Sequence, residues 1–278
     1  MAFEHPGGAS LDYKVCRYGK SRLLVRGPKA RLKAPYTLFF GGTETYGRFV
    51  ARPFPTRIAE GLALRCANIS AVNAGLDAFV EDQTLLSAAS KAERVVVQVL
   101  GAANLSNDFY SVHPRRNDRF TAASPALHEL YPEVDFTEFS FTKHLLTSLE
   151  RRCADRFTLV VEELKLRWRL QMHRLLSEAD GRCLLLWIAK APPPREAVSV
   201  RSGADPLLVD TRMLADIGAT AREIVQVIPS KAAIATGTQG MVFSEFEAHV
   251  AALTINDVTH AEIAAALRPV LQRQIAAA

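Results

Sequence analysis

The chain has 278 residues, of which 49% are hydrophobic and 23% charged, with a formal net charge of +5. This is the composition of an ordinary globular protein, long enough to bury a sizeable core. It excludes a low-complexity or disordered chain, and the mild basicity without a single-sign block argues against a dedicated nucleic-acid binder. The four cysteines, Cys16, Cys66, Cys153 and Cys183, have no CxxC or Cys/His ligand spacing, so neither a disulfide framework nor a metal site is expected. No apolar signal core opens the chain and no run reaches about 18 uninterrupted apolar residues. The expectation is a cytoplasmic protein with no membrane span, no cofactor and no nucleic-acid partner.

Residues 1–35 are punctuated by Gly and Pro and rich in Lys and Arg, and read as an N-terminal arm. The domain proper then runs over 36–278. Tyr36–Phe40 is a short apolar strand that runs into Gly41-Gly42-Thr43-Glu44-Thr45-Tyr46-Gly47. Pro53 and Pro55 delay the next helix until after Pro55. Residues 63–70 read as a second strand and 76–92 as a helix with Phe79, Val80, Leu85, Leu86 and Ala89 on one face. The β-branched run in Arg94–Gly101 is the clearest buried strand. A polar loop occupies 102–120, and helical spacing follows over 142–152 and 157–179. Arg182–Ala189 is a further buried strand, ended by Pro192-Pro193-Pro194. A helix over 207–219, a strand over 223–228, a short helix within 242–253 and a last helix over 259–275 complete the pattern.

Apolar runs alternating with helices predict a three-layer α/β sandwich with a central parallel sheet of about five strands. Ligands of such sheets bind where the carboxyl ends of the strands meet the loops. Four polar segments draw attention there. In the first, Gly41 and Gly42 permit a tight turn, Thr43 presents a hydroxyl, and Glu44 stands beside it. The second runs Asn68-Ile69-Ser70 to Asn73 and Gly75, where backbone N–H groups at a strand-to-helix junction suit an oxyanion. The third places Asn104 near the end of the best strand, with Arg115, Arg116 and Arg119 further along as a clamp for phosphate or carboxylate. The fourth is Asp257-Val258-Thr259-His260, an acid spaced to orient an imidazole. Each also has a plain structural reading: a Gly turn, an Asn turn, a loop held by Arg–Asp pairs, and a capped helix start.

In this order the four segments resemble those of the SGNH (GDSL-like) hydrolase superfamily. Gly41-Gly42-Thr43 with Gly47 looks like its Gly-Asp-Ser turn, Asn68-Ile69-Ser70 like its Asn-x-Gly segment, and Gly101 to Asn104 like its Gly-x-Asn segment. Asp257 to His260 matches its Asp-x-x-His segment. Stretches such as GGTETYGRFV, NAGLDAF and SVHPRRNDRF are also similar to an uncharacterised bacterial family of unknown function. The resemblance implies an SGNH/flavodoxin-like fold with an insertion after the third strand. It implies an esterase or acyltransferase acting on an ester or acyl group of a polar or anionic, carbohydrate-like substrate. Thr43 would be the nucleophile, His260 the base, Asp257 its orienter, and Ser70 and Asn104 the oxyanion donors. Arg115, Arg116, Arg119, Asn73 and Glu44 would contact substrate. The chain departs from the pattern at Thr43, Gly42 and Ser70, where the superfamily has Ser, Asp and Gly. Those departures keep a second reading in view, a catalytically silent protein that binds an anionic glycan or nucleotide-linked ligand. The sequence is silent on the oligomeric state.

Overall fold

In the computed structural model, residues 11–203 and 205–276 are described. The first ten residues of the expected arm lie outside them. Five strands form one parallel sheet: β1 Thr37–Gly41, β2 Cys66–Ser70, β3 Arg94–Gln98, and, after a hairpin of β4 Tyr110–His113 and β5 Arg116–Ala123, β6 Cys183–Ile188 and β7 Glu223–Val227. Their order across the sheet is β2-β1-β3-β6-β7. The chain therefore winds outward in both directions from β1 and β3. The helices, in chain order, are α1 Thr43–Tyr46, α2 Phe54–Gly61, α3 Asp77–Val80, α4 Gln83–Lys91, α5 Pro125–Leu130, α6 Thr142–Arg152, α7 Ala154–Ala179, α8 Thr211–Gly218, α9 Lys231–Ala235, α10 Ala248–Ala251 and α11 Asp257–Ala276.

The sheet separates two cores, as the period of a strand dictates. Phe39, Val96 and Leu184 stand in register on adjacent strands and pack with Phe54 and Ile58 of α2 and Ile263 and Leu267 of α11. Their neighbours Leu38, Phe40, Val95, Val97 and Leu185 point the other way, into the larger core with Leu85 of α4 and Val160, Leu164 and Trp168 of α7. Each such side chain removed from water contributes about 1.5–3 kcal/mol before conformational entropy is counted. The expected three-layer parallel architecture is the one observed.

Local differences have local causes. The helix expected over 76–92 is split into α3 and α4, because the Asp82 side chain accepts from the N–H of Thr84 at 3.0 Å and of Leu85 at 3.2 Å and opens a new helix there. Helix α2 starts at Phe54, one residue before Pro55, since a proline in the first turn has no intrahelical N–H to lose. The polar stretch expected as loop over 102–120 contains the β4–β5 hairpin, whose register is broken by irregularities around Val112. Such a two-stranded, bulged and largely solvated ribbon lacks the clean alternation by which a strand is read. Residues 11–35 are part of the packed body. Leu23 and Val25 are buried, and Cys16 and Val25 pair across a bridge.

Candidate functional site

A cleft of about 730 Å³ opens at the carboxyl ends of the strands, between the loops after β1, β2, β3, β6 and β7. It straddles β1 and β3, where the winding direction of the sheet reverses, the place at which sheets of this order bind ligands.

The floor of the cleft is a single turn of helix clamped at both ends. A Cβ on Gly41 would stand 2.1 Å from Thr45 Oγ1 and 2.6 Å from Gln98 Oε1, so only glycine lets β1 turn so sharply into α1. Gln98, the polar member of the RVVVQ strand, supplies the N-terminal clamp. Its Oε1 accepts from Gly42 N at 3.1 Å, Thr45 N at 3.2 Å and Thr45 Oγ1 at 2.6 Å. Its Nε2 donates to Glu44 Oε2 at 2.7 Å. Arg26 supplies the other clamp. It is buried, and its guanidinium donates to the carbonyls of Tyr46 and Gly47 at 3.0 Å, Val50 at 3.1 Å and Ala51 at 3.2 Å.

Thr43 stands half-buried on this turn and lines the cleft. Its Oγ1 accepts from Asn73 N at 3.1 Å and lies 3.4 Å from Asn73 Oδ1. Asn73 holds this pose in the left-handed region, φ 58°, which asparagine tolerates better than most side chains. Its Nδ2 donates to Asp118 Oδ2 at 3.0 Å. Desolvation pushes the Asp118 carboxyl up. Glu44 is also raised, by desolvation first and then by the charge of Asp205 across the cleft.

Asn104 forms another part of the lining. A Cβ on Gly75 would come within 2.2 Å of the Asn104 carbonyl, so the two loops touch backbone to backbone. Asn104 Oδ1 accepts from the buried Thr142 Oγ1 at 2.6 Å, and its Nδ2 has no partner among the described residues. Lys190 also lines the cleft, and among the described residues no arginine does.

Several expected roles do not survive this geometry. His260 is fully buried and does not line the cleft. Its Nδ1 accepts from Phe54 N at 3.1 Å, its ring stacks on Phe54 with centroids 5.8 Å apart, and Nε2 has no partner. Burial, then the charges of Arg57 and Arg26, pull its pKa down to about 3. The imidazole thus caps α2, whose first N–H groups have no intrahelical acceptor. Asp257 does not touch His260. Its Oδ1 accepts from Arg57 Nη2 at 2.5 Å, and the start of α11 is capped instead by Asn256 Oδ1, 3.0 Å from Thr259 N. The Thr43–His260–Asp257 relay is therefore not assembled.

Ser70 is buried away from the cleft, its hydroxyl bonded to Asn68 Oδ1 and its carbonyl receiving Arg26 N at 3.2 Å. The backbone N–H at Thr43 belongs to Asn73 instead. Arg115, Arg116 and Arg119 are exposed on the β4–β5 hairpin and line no part of the cleft; Arg119 lies over the Phe141 ring at 4.9 Å. The structure does bring Thr43, Glu44, Asn73 and Asn104 together. Asp118 belongs to the polar loop that the sequence marks after the third strand, whereas Gln98, Asp205 and Thr142 were not singled out; a glutamine ending a β-branched strand was a readable signal for the first of these.

The fold defines a doubly wound α/β protein with a cleft at its switch point. By its sequence the chain belongs to the family described as Domain of unknown function (DUF6473), which matches residues 1–275. No curated protein matches it. Among solved structures it is similar to a carbohydrate esterase family 2 enzyme with a carbohydrate-binding domain from Corynascus thermopiles (Myceliophthora fergusii), at 13% identity and a TM-score of 0.38, covering 90% of this chain and 69% of that one.

Proposed function

We propose that the cleft binds a neutral, hydroxyl-rich ligand of carbohydrate type. The observation that carries this reading is the polar lining around Thr43, namely Glu44, Asn73, Asn104 and Asp118, in a cleft where three carboxyl groups, Glu44, Asp118 and Asp205, outnumber the one cation among the described residues, Lys190. Amide and carboxyl side chains pair donors and acceptors with adjacent hydroxyl groups. Carboxyl groups repel an anionic ligand, and desolvation raises both of these above the ordinary carboxyl range. Of the polar or anionic substrates expected from the sequence, this reading takes the polar, uncharged ones, since the three hairpin arginines do not line the cleft. Calorimetry against neutral oligosaccharides and their sulfated or phosphorylated counterparts tests the reading. Binding of neutral sugars, weakened in Asn73→Ala and Asp118→Ala, is expected; a preference for the charged forms overturns it.

A second reading is ester or acyl chemistry on such a ligand, and Glu44 favours it. This carboxyl, raised by its surroundings, is the residue after Thr43 and lines the same cleft. Under this reading Thr43 Oγ1 adds to the acyl carbon while Glu44 takes the hydroxyl proton and Asn104 Nδ2 donates to the carbonyl oxygen; the ester C–O bond then breaks as Glu44 returns the proton to the leaving sugar hydroxyl, and water releases the acyl group from Thr43 by the same steps. Turnover of an acetylated sugar or of p-nitrophenyl acetate, abolished in Thr43→Ala and in Glu44→Gln, is the result that establishes it. Binding without turnover leaves the first reading standing alone.

A further inference from the structure

We infer that the ligand of this cleft carries an apolar chain, an alkyl or acyl group, which lies along a wall built by Ile234 and Leu253 while its hydroxyl-rich end sits at Thr43. The inference rests on the cleft being the ligand site and names the other half of the ligand.

The wall comes from two short segments, α9 and the stretch from α10 to α11. Ile234 is 60% and Leu253 85% exposed, and both line the same cleft as Thr43 and Glu44. A single exposed leucine or isoleucine is ordinary, but these two line one cleft, together with Ala252 and Ile255 from the same stretch as Leu253. The loop after β6 adds Trp187, Pro192 and Pro194 to the lining. The cleft thus combines polar residues around Thr43 with apolar lining from these loops, within the size range of small-molecule sites.

The wall is held in place rather than left loose. Asn256 is buried, and its Nδ2 donates to the carbonyls of Ala233 at 2.7 Å and Gly237 at 2.9 Å, while its Oδ1 caps α11. Glu262 of α11 accepts from Ser230 N at 3.1 Å, ahead of α9. One buried amide and one carboxylate therefore tie α9, which carries Ile234, to the start of the last helix, into which the segment of Leu253 leads directly. Such a wall does not collapse onto itself to hide Ile234 and Leu253, so a bound chain gains their surface on docking.

Calorimetry with methyl β-D-glucoside and octyl β-D-glucoside, the latter below its micellar concentration, tests this. Octyl β-D-glucoside should bind at least about tenfold more tightly, since each additional buried methylene favours association. Leu253→Ser and Ile234→Ser, both exposed and so compatible with folding, should remove most of that gain and leave methyl β-D-glucoside binding unchanged. Equal affinities for the two glucosides, or variants that weaken both alike, overturn the apolar wall and leave the carbohydrate reading intact. Octyl β-D-glucoside binding that is lost in Leu253→Ser but indifferent to Asn73→Ala and Asp118→Ala supports the wall and overturns the carbohydrate reading. Failure of octyl β-D-glucoside to bind at all overturns the wall.

Discussion

Glu44 and Gln98 meet where the first strand ends, and each has a measurable consequence. A carboxyl whose folded pKa is raised binds more protons in the native state than in the unfolded one. Its contribution therefore favours folding at low pH and is lost as pH rises from the ordinary glutamate range through the raised value. Glu44→Gln keeps an oxygen for Gln98 Nε2 and removes the charge. We expect the variant to be at least as stable as the parent at pH 7 by thermal unfolding, with the gap closing on acidification toward pH 4. A variant less stable at pH 7 would mean that Glu44 is stabilised as a carboxylate. Gln98→Leu removes the acceptor of three hydrogen bonds. Burying those donors without a partner costs about 1–3 kcal/mol for each one left unpaired. Urea unfolding should show a loss of at least about 2 kcal/mol; a loss near zero would show that α1 finds another cap.

Among the elements, α1 and α2 owe their positions to residues distant in sequence. His260 on α11 caps α2 as a neutral ring, with a pKa pulled down to about 3 against an ordinary 6.5. A depressed native pKa means that the unfolded chain binds the extra proton first. Its stabilisation is complete above pH 6.5 and is lost as pH falls from there toward 3, at about 1.4 kcal/mol per pH unit. His260→Asn should remove that part of the acid sensitivity, measured as the slope of unfolding free energy between pH 6 and 4. An unchanged slope would place the sensitivity elsewhere. Arg26 clamps the other end of α1 through four carbonyls. Hydrogen bonds from a charged donor contribute about 1.5–3 kcal/mol each, so Arg26→Met should lose roughly 3 kcal/mol or more, again by urea unfolding.

For the whole molecule, the arm expected over 1–35 and the domain expected over 36–278 bear on each other. Leu23, Val25 and Arg26 pack into the body and one of them holds the site turn. A variant beginning at residue 36 should lose the cooperative unfolding transition followed by circular dichroism, along with binding in the cleft. A shortened chain with an unchanged transition would show that the arm is dispensable. The cleft itself is a property of the sheet order, because five loops meet only where the winding reverses between β1 and β3.

The strands, the layers and part of the site were legible in the sequence because their causes are local. Val95–Val97 and Leu184–Leu186 announce buried parallel strands by composition alone, and Gly41 marks the turn that presents Thr43. Thr43, Glu44, Asn73 and Asn104 line one cleft because each sits at or near a strand end, where a parallel sheet brings its loops together. The partners of those residues were not legible. Spacing places Asp257 and His260 three residues apart but does not say which way a helix faces. Tertiary packing turned His260 into the core, where Phe54 N needed an acceptor, and turned Asp257 toward Arg57. It also carried the three hairpin arginines outward, because a two-stranded ribbon exposes its turn, and drew Asp118, Asp205 and Leu253 to the same opening from far apart in the chain. Local chemistry decides which residues end a strand; only the packing of helices and loops decides which of them share a cleft.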